Sequence, residues 1–175
     1  GCYFAILGSV MMSSNILVDR VSQALTEFTE VTTQDDAEIS SVGFRKVMWE
    51  NTLKMIGAKP VLGSGAGAFQ KDYEALVFGQ TGIKGESTDD PHQQYLHVAA
   101  EYGLLGLAIF SLAIVCIIKD LMCGKNYYST IGLAIVLGVC ATSLANGHFS
   151  SFVEGRFAWI FIAVSIVKSA NISKR

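Results

Sequence analysis

Charged residues are scarce in this chain, and the scarcity is uneven. They make up 16% of the 175 residues, whereas soluble domains carry roughly 25%. Thirteen of the 15 acidic and seven of the 13 basic residues lie between Asp19 and Glu101, which gives that region a net charge of −6 and leaves +4 for the rest. The remaining stretches are therefore strongly apolar, which indicates a membrane protein with one large polar region.

Three further absences exclude common classes of protein. No cluster of basic residues is present, which argues against nucleic acid as a partner. The four cysteines lie in or beside apolar segments, so the polar region has neither a disulfide framework nor a CxxC metal site. The chain opens on the apolar run after Gly1, without the basic start of a secretory signal. We therefore expect a C-terminal fragment of a larger membrane protein.

Four apolar stretches predict membrane helices, at 1–18, 103–122, 130–147 and 157–168. A crossing needs about 20 predominantly apolar residues, so the last two suffice only with their polar flanks. The turn between the second and third segments carries Lys119 and Lys125, and Lys168 ends the fourth segment. By the positive-inside rule, this turn and the C-terminal end lie in the cytoplasm. Region 19–102 then lies in the periplasm of a Gram-negative cell. The predicted fold is all-α and polytopic, with about four membrane helices and a helical periplasmic loop.

Two helices are predicted in the first part of this loop. Ser41 caps a helix over Val42–Ile56, and a second, short helix covers Phe69–Phe78. The glycine-rich run between them, at 63–67, lacks the Lys-Ser/Thr of a phosphate-binding loop and follows no strand. We therefore expect it to turn tightly and pack closely, with backbone contact to a substrate as the alternative.

A third helix is predicted from Asp90 onward and leads into the apolar segment. Asp90 suits the N-cap and Pro91 suits the first helical position. Gln93 stands three residues after the cap, as in a capping box. This assignment places His92 in the first helical turn, at the membrane surface. Free backbone N–H groups there favour a nearby anion and a neutral imidazole that accepts a proton.

The order of these motifs carries a family resemblance. His92 and Gln93 precede Gly103-Leu104-Leu105-Gly106 by nine residues, which gives H-[NSQ]-x9-G-x-x-G. Upstream stand Arg45-x3-Trp49 and PVLGSGAGAF at 60–69, and downstream stands FVEGRF at 152–157. Over roughly residues 40–165 the chain resembles the O-antigen ligase and polymerase superfamily.

The resemblance implies a reaction and roles for particular residues. Members use glycans carried by undecaprenyl pyrophosphate at the outer face of the inner membrane, without a metal or cofactor. His92 matches the histidine that acts as general base, and Arg45 matches an arginine that holds the pyrophosphate. Gln93 and Arg156 are further candidates for substrate contact. Apart from the resemblance, Arg45 would be interpreted as a residue of a solvated helix face.

The expected function is that of an inverting glycosyltransferase in the bacterial inner membrane. It would transfer an O-antigen glycan from undecaprenyl pyrophosphate to lipid A-core. O-antigen polymerase and protein O-oligosaccharyltransferase are close alternatives. A transporter or lipid-binding module is a different alternative, and it would place polar residues inside the apolar segments. Those segments hold few polar residues, among them Ser111, Thr142 and Ser143. This scarcity favours chemistry at the membrane surface.

Overall fold

The fold is built from helices joined by short turns. The structure, a computed structural model, describes residues 18–20, 22–23, 26, 41–151 and 153–173. The helices are α1 (Ser41–Ala58), α2 (Phe69–Val77), α3 (Gln94–Cys123), α4 (Tyr127–Thr142) and α5 (Glu154–Ser173), with a 3₁₀ turn at Gly82–Gly85. The all-α prediction is confirmed for these residues. The predicted membrane segment 1–18 lies outside the described residues, apart from Val18.

Two hydrophobic cores divide the described chain into a loop layer (41–102) and a helix bundle (103–173). The core of the loop layer comprises Met48, Met55, Phe69, Tyr73, Val77 and Ala100. The core of the bundle comprises Ile114, Leu121, Val136, Phe149 and Ile162. Helix α3 contributes residues to both cores, so it joins the two parts.

The bundle helices present apolar side chains outward. Helices α3 and α5 are long and apolar enough to cross a membrane, and α4 is a shorter apolar helix. Ile109, Leu112 and Phe157 are each about 60% exposed. An apolar surface of this kind is unfavourable in water and suits contact with lipid. Two described helices thus meet the length and composition of membrane spans, and the count of four stays a prediction.

The boundaries of the last two predicted segments differ from those observed. Helix α4 starts earlier because Asn126 caps it, with the Asn126 side chain accepting the Ser129 N–H at 3.1 Å. The prediction of 130–147 is wrong at its end, since α4 stops at Thr142. Ser143 instead uses its carbonyl to accept the Gln94 N–H at 3.1 Å. The segment predicted at 157–168 lies inside the longer α5.

The two turns of the bundle lie at opposite ends. At one end the Asn126 amide donates to the Ser169 carbonyl and hydroxyl at 3.2 and 3.0 Å. At the other end the Tyr95 hydroxyl donates to the Cys140 carbonyl at 2.9 Å. Helix α4 therefore runs antiparallel to its neighbours. The turn that follows α4 lies at the same end as the start of α3.

Helix α3 is interrupted at Gly103, which has φ 68° and ψ −174°. The break leaves backbone groups on both sides without a helical partner. The glycine-rich turn supplies the donors: Ser64 N–H bonds the Ala100 carbonyl at 3.0 Å, and Gly65 N–H bonds the Glu101 carbonyl at 2.8 Å. The chain just before that turn supplies the acceptors, because the carbonyls of residues 60 and 61 accept the N–H groups of residues 104 and 105 at 2.8 and 3.3 Å.

These bonds require the backbone at Gly63 to approach the backbone at Gly103 closely. We call this approach the Gly63–Gly103 contact. A Cβ on Gly63 would lie 2.5 Å from the carbonyl carbon of Glu101, and one on Gly103 would overlap the Val61 carbonyl. Both glycines have positive φ angles, of 68°, which side chains disfavour. The prediction that the glycine-rich run packs closely is confirmed, and its packing partner is the break in α3.

We expect Gly103→Ala to destabilise the protein strongly. The positive φ alone costs about 1–3 kcal/mol for a residue with a side chain, and the overlap with Val61 adds to it. Gly138→Ala is the matched control, because Gly138 lies within α4 and has open space around its Cβ position. Thermal unfolding in detergent should give a lower Tm for Gly103→Ala and an unchanged or raised Tm for Gly138→Ala. Equal Tm values for the two variants would contradict the Gly63–Gly103 contact.

Candidate active site

The loop that carries His92, residues 88–93, ends before α3 begins. His92 is exposed and has a φ of 51°, the one positive value at a non-glycine residue among those described. Its N–H donates to Asp90 Oδ1 at 2.8 Å, and the Thr88 hydroxyl donates to the Asp90 carbonyl at 2.8 Å. A positive φ is uncommon outside glycine, so the Asp90 turn holds His92 in a conformation that the chain would not otherwise favour.

The prediction that Asp90 caps α3 is wrong. Gln93 is the N-cap, and its side-chain oxygen accepts the Leu96 N–H at 2.5 Å. The carboxylate of Asp90 bonds within the loop instead, so the helix starts at Gln94. His92 therefore lies two residues before the helix and not in its first turn. The side-chain oxygen of Gln93 caps the helix, and its role as a substrate contact stays a prediction.

Trp49 joins α1 to the His92 loop. Its indole N–H donates to the carbonyl of Pro91, the residue directly before His92, at 2.9 Å. Arg45 lies one helical turn before Trp49 and is exposed. Residues four apart on a helix are neighbours, with Cβ atoms about 5–6 Å apart. Arg45 therefore lies one helical turn from the residue that bonds to the His92 loop, and its place in a common site with His92 stays a prediction.

A second wall of the site comes from the α4–α5 turn, residues 143–151. The Gln94 side chain, which is buried, donates to the Ser150 hydroxyl at 2.7 Å and accepts the Ser150 N–H at 3.0 Å. Gly147 packs so closely that a Cβ there would lie 2.5 Å from Asp90 Oδ2. The turn is therefore fixed beside the His92 loop. Sequence reasoning missed this pairing, although Asn146-Gly147 is a turn signal.

Two polar side chains lie close together on this wall. His148 Nδ1 is 2.5 Å from Glu154 Oε2, with Glu154 in the first turn of α5. Arg156, a predicted substrate contact, follows two residues later and is exposed. These residues lie at the same end of the bundle as His92. The role of Arg156 as a substrate contact stays a prediction.

A third histidine lies beneath the His92 loop. His97 Nδ1 is 3.8 Å from Asp90 Oδ1, and His97 Nε2 is 3.6 Å from Glu101 Oε1. Its ring packs against Phe69 with centroids 4.9 Å apart. His97 is thus partly buried between two carboxylates and is less accessible than His92.

The glycine-rich turn is also anchored to α2. Lys59 Nζ lies 2.8 Å from Asp72 Oδ2, and the Ser64 hydroxyl donates to the same oxygen. The hydrogen bond from Lys59, with that from Ser64, lowers the pKa of Asp72 below its usual value. Asp72 is therefore a carboxylate that stabilises the turn.

The comparisons identify the class of protein that these features form. The sequence model of the O-antigen ligase family matches residues 2–111. This match covers more than half of the chain, so the chain belongs to the O-antigen ligase family. Family membership makes it a membrane protein with a glycosyltransferase-like activity. No curated protein and no solved structure matches the chain. The match includes Arg45 and His92 and ends before the α4–α5 turn.

We expect Asp90→Ala to reduce glycan transfer by about 100-fold, because it removes the acceptor that holds the His92 backbone. A misplacement of about 1 Å in a catalytic group has a cost of that order. Asp90→Asn keeps the accepting oxygen and should retain most of the activity. Asp89→Ala is the matched control, since Asp89 is the exposed neighbour. Activity of Asp90→Ala equal to that of Asp89→Ala would show that the Asp90 turn does not position His92.

Proposed function

We propose that this protein transfers an O-antigen glycan from undecaprenyl pyrophosphate to lipid A-core at the periplasmic face of the inner membrane. The observation that carries the proposal is the hydrogen bond from Trp49 to Pro91, at 2.9 Å. It brings two motifs that are far apart in sequence, Arg45-x3-Trp49 and His92-Gln93, to one place. That place is the end of the bundle where α3 passes from the loop layer into its apolar part.

Arg45 supports binding of the donor. Its guanidinium is a planar donor that can hold two phosphate oxygens at once, and it lies exposed on the helix face that carries Trp49. Pyrophosphate becomes a good leaving group once its negative charge is compensated. The lipid tail of such a donor can lie along the exposed apolar face of α3, which includes Ile109 and Leu112.

His92 supports proton transfer from the acceptor. In the proposed step an imidazole nitrogen of His92 takes the proton of an acceptor hydroxyl, and the hydroxyl oxygen forms a bond to the anomeric carbon. The bond between that carbon and the pyrophosphate oxygen breaks, so undecaprenyl pyrophosphate leaves with the electron pair. Attack from the face opposite the leaving group inverts the anomeric centre. The exposed position of His92 leaves its ring accessible to an acceptor.

The alternatives share the donor chemistry and differ in the acceptor. A polymerase would transfer to another glycan, and a protein O-oligosaccharyltransferase would transfer to a hydroxyl side chain. Lipid A-core is preferred because the family model that matches is that of the O-antigen ligase. A transporter or lipid-binding module is disfavoured, because the polar contacts described above lie at the two ends of the bundle rather than along a path through it.

The orientation in the membrane follows from the positions of the lysines. The His92 loop and the α4–α5 turn share one end of the bundle, and Lys125 lies at the opposite end, next to Asn126. Lys119 and Lys168 belong to the same end as Lys125 by their positions near the end of α3 and of α5. Because basic residues favour the cytoplasmic side, we propose that the His92 end is periplasmic.

Reporter fusions test this orientation. Alkaline phosphatase joined near Thr81, in the loop layer, should be active because the enzyme folds outside the cytoplasm. The same reporter joined near Lys125 should be inactive. Activity only at Lys125 would reverse the orientation and would separate His92 from any glycan presented outside.

We expect His92→Ala to reduce transfer of O-antigen to lipid A-core by about 10²–10⁴-fold, the usual contribution of a general base. Lipopolysaccharide ladders from cells that express the variant measure this loss, with the amount of membrane-inserted protein as the control. His97→Ala is the matched comparison. This substitution removes a ring that packs against Phe69, so it should lower stability as well as activity. Normal ladders from a well-expressed His92→Ala protein would exclude the proposed role of His92.

A further inference from the structure

The α4–α5 turn carries a pair of polar side chains to which the proposed mechanism gives no role. His148 Nδ1 lies 2.5 Å from Glu154 Oε2. The Glu154 backbone N–H donates to the Ser151 hydroxyl oxygen at 3.3 Å, which holds the start of α5 against the turn. Glu154 is exposed and the side chain of His148 is about one-quarter exposed. Both groups are thus ordered by the turn and still accessible from outside.

This pair lies beside the proposed catalytic loop. The carboxylate of Asp90 accepts the His92 N–H through one oxygen and touches Gly147, the neighbour of His148, through the other. The Gln94 side chain, bonded twice to Ser150, prevents the two segments from separating. The His92 loop and the segment that carries His148 therefore meet at one carboxylate, although 56 positions separate the two histidines in the sequence.

The chemistry of the pair suits sugar hydroxyls. The carboxylate of Glu154 occupies Nδ1 of His148, and the other ring nitrogen, Nε2, can bond a sugar hydroxyl. The second oxygen of Glu154 is another acceptor. Such oxygens can accept hydrogen bonds from the hydroxyl groups of a polyol. Arg45, the cation proposed for the donor pyrophosphate, belongs to the other wall, on α1.

We propose that His148 and Glu154 form the acceptor-sugar subsite, which binds hydroxyl groups of the acceptor opposite the donor side formed by Arg45 and Trp49. The proposal rests on the proposed function for the identity of the acceptor. It divides the site between two segments: α1 holds the donor, the α4–α5 turn holds the acceptor sugar, and His92 lies between them.

Equilibrium binding to the intact protein in nanodiscs tests the proposal without requiring turnover. The probes are the core oligosaccharide freed of its lipid, for the acceptor, and undecaprenyl pyrophosphate, for the donor. His148→Ala and Glu154→Ala should each weaken binding of the oligosaccharide by about tenfold, the effect of losing one or two hydrogen bonds. Glu154→Gln keeps an oxygen beside Nδ1 and should weaken it less. Binding of undecaprenyl pyrophosphate should be unchanged in all three variants.

Asp120→Asn serves as the control, because Asp120 is an exposed carboxylate near the far end of α3. Unchanged oligosaccharide binding by a folded His148→Ala protein would overturn the proposal, as would weakened binding of undecaprenyl pyrophosphate alone. Failure of the wild-type protein to bind the oligosaccharide would overturn it as well. A wild-type protein that binds the oligosaccharide and transfers no glycan would instead contradict the proposed function, so the two failures are distinguishable.

Discussion

The Gly63–Gly103 contact is the constraint on which the rest of the structure depends. A helix that runs from the loop layer into the bundle is broken at one residue, and its unpaired backbone groups are bonded by residues 60–65. Such groups are costly to leave unbonded near a membrane, and the two backbones approach closely enough to satisfy them because Gly63 and Gly103 have no Cβ. The contact thus fixes the direction in which α3 leaves the loop layer.

The candidate site lies where this contact joins the two cores. Helix α1 reaches the His92 loop through Trp49, and the α4–α5 turn reaches it through Gln94. Trp49 bonds to the backbone of the loop, and Gln94 bonds to both the backbone and the hydroxyl of Ser150. Arg45 and His92 themselves are exposed, and the segments that carry them are held by these neighbours. A rigid frame with accessible reactive groups is what transfer between two lipid-anchored substrates requires.

The sequence predicts the helical elements well, because their ends carry local signals. Apolar periodicity and breaking residues locate α1 and α2 within about two residues. The start of α3 is wrong because Asp90 and Gln93 are both good capping residues, and local pattern does not decide between them. In the structure the Asp90 carboxylate accepts the His92 N–H and packs closely against Gly147. Gln93 is therefore the residue that caps α3.

The second wall of the site could not be predicted in the same way. The bonds from Gln94 to Ser150 join positions 56 residues apart, and no periodicity links a polar residue to a distant polar partner. Arg45 and His92 were found together only because the motifs of one family contain both. The packing role of the glycine-rich run was predictable, since it lacks the residues of a phosphate loop. The sequence shows Gly103 only as the first glycine of the G-x-x-G motif, and it does not predict that the glycine-rich run packs against this residue.

The central claim is that one site, with Arg45 on one wall and His92 beside it, holds the pyrophosphate of a lipid-linked glycan. A cryo-electron microscopy structure of the protein in nanodiscs with undecaprenyl pyrophosphate tests this most directly. The account predicts phosphate oxygens within hydrogen-bond distance of the Arg45 guanidinium, the lipid tail along α3 beyond Gly103, and the His92 ring facing the phosphate that would carry the sugar. Pyrophosphate bound away from Arg45, at the Lys125 end of the bundle, would contradict it.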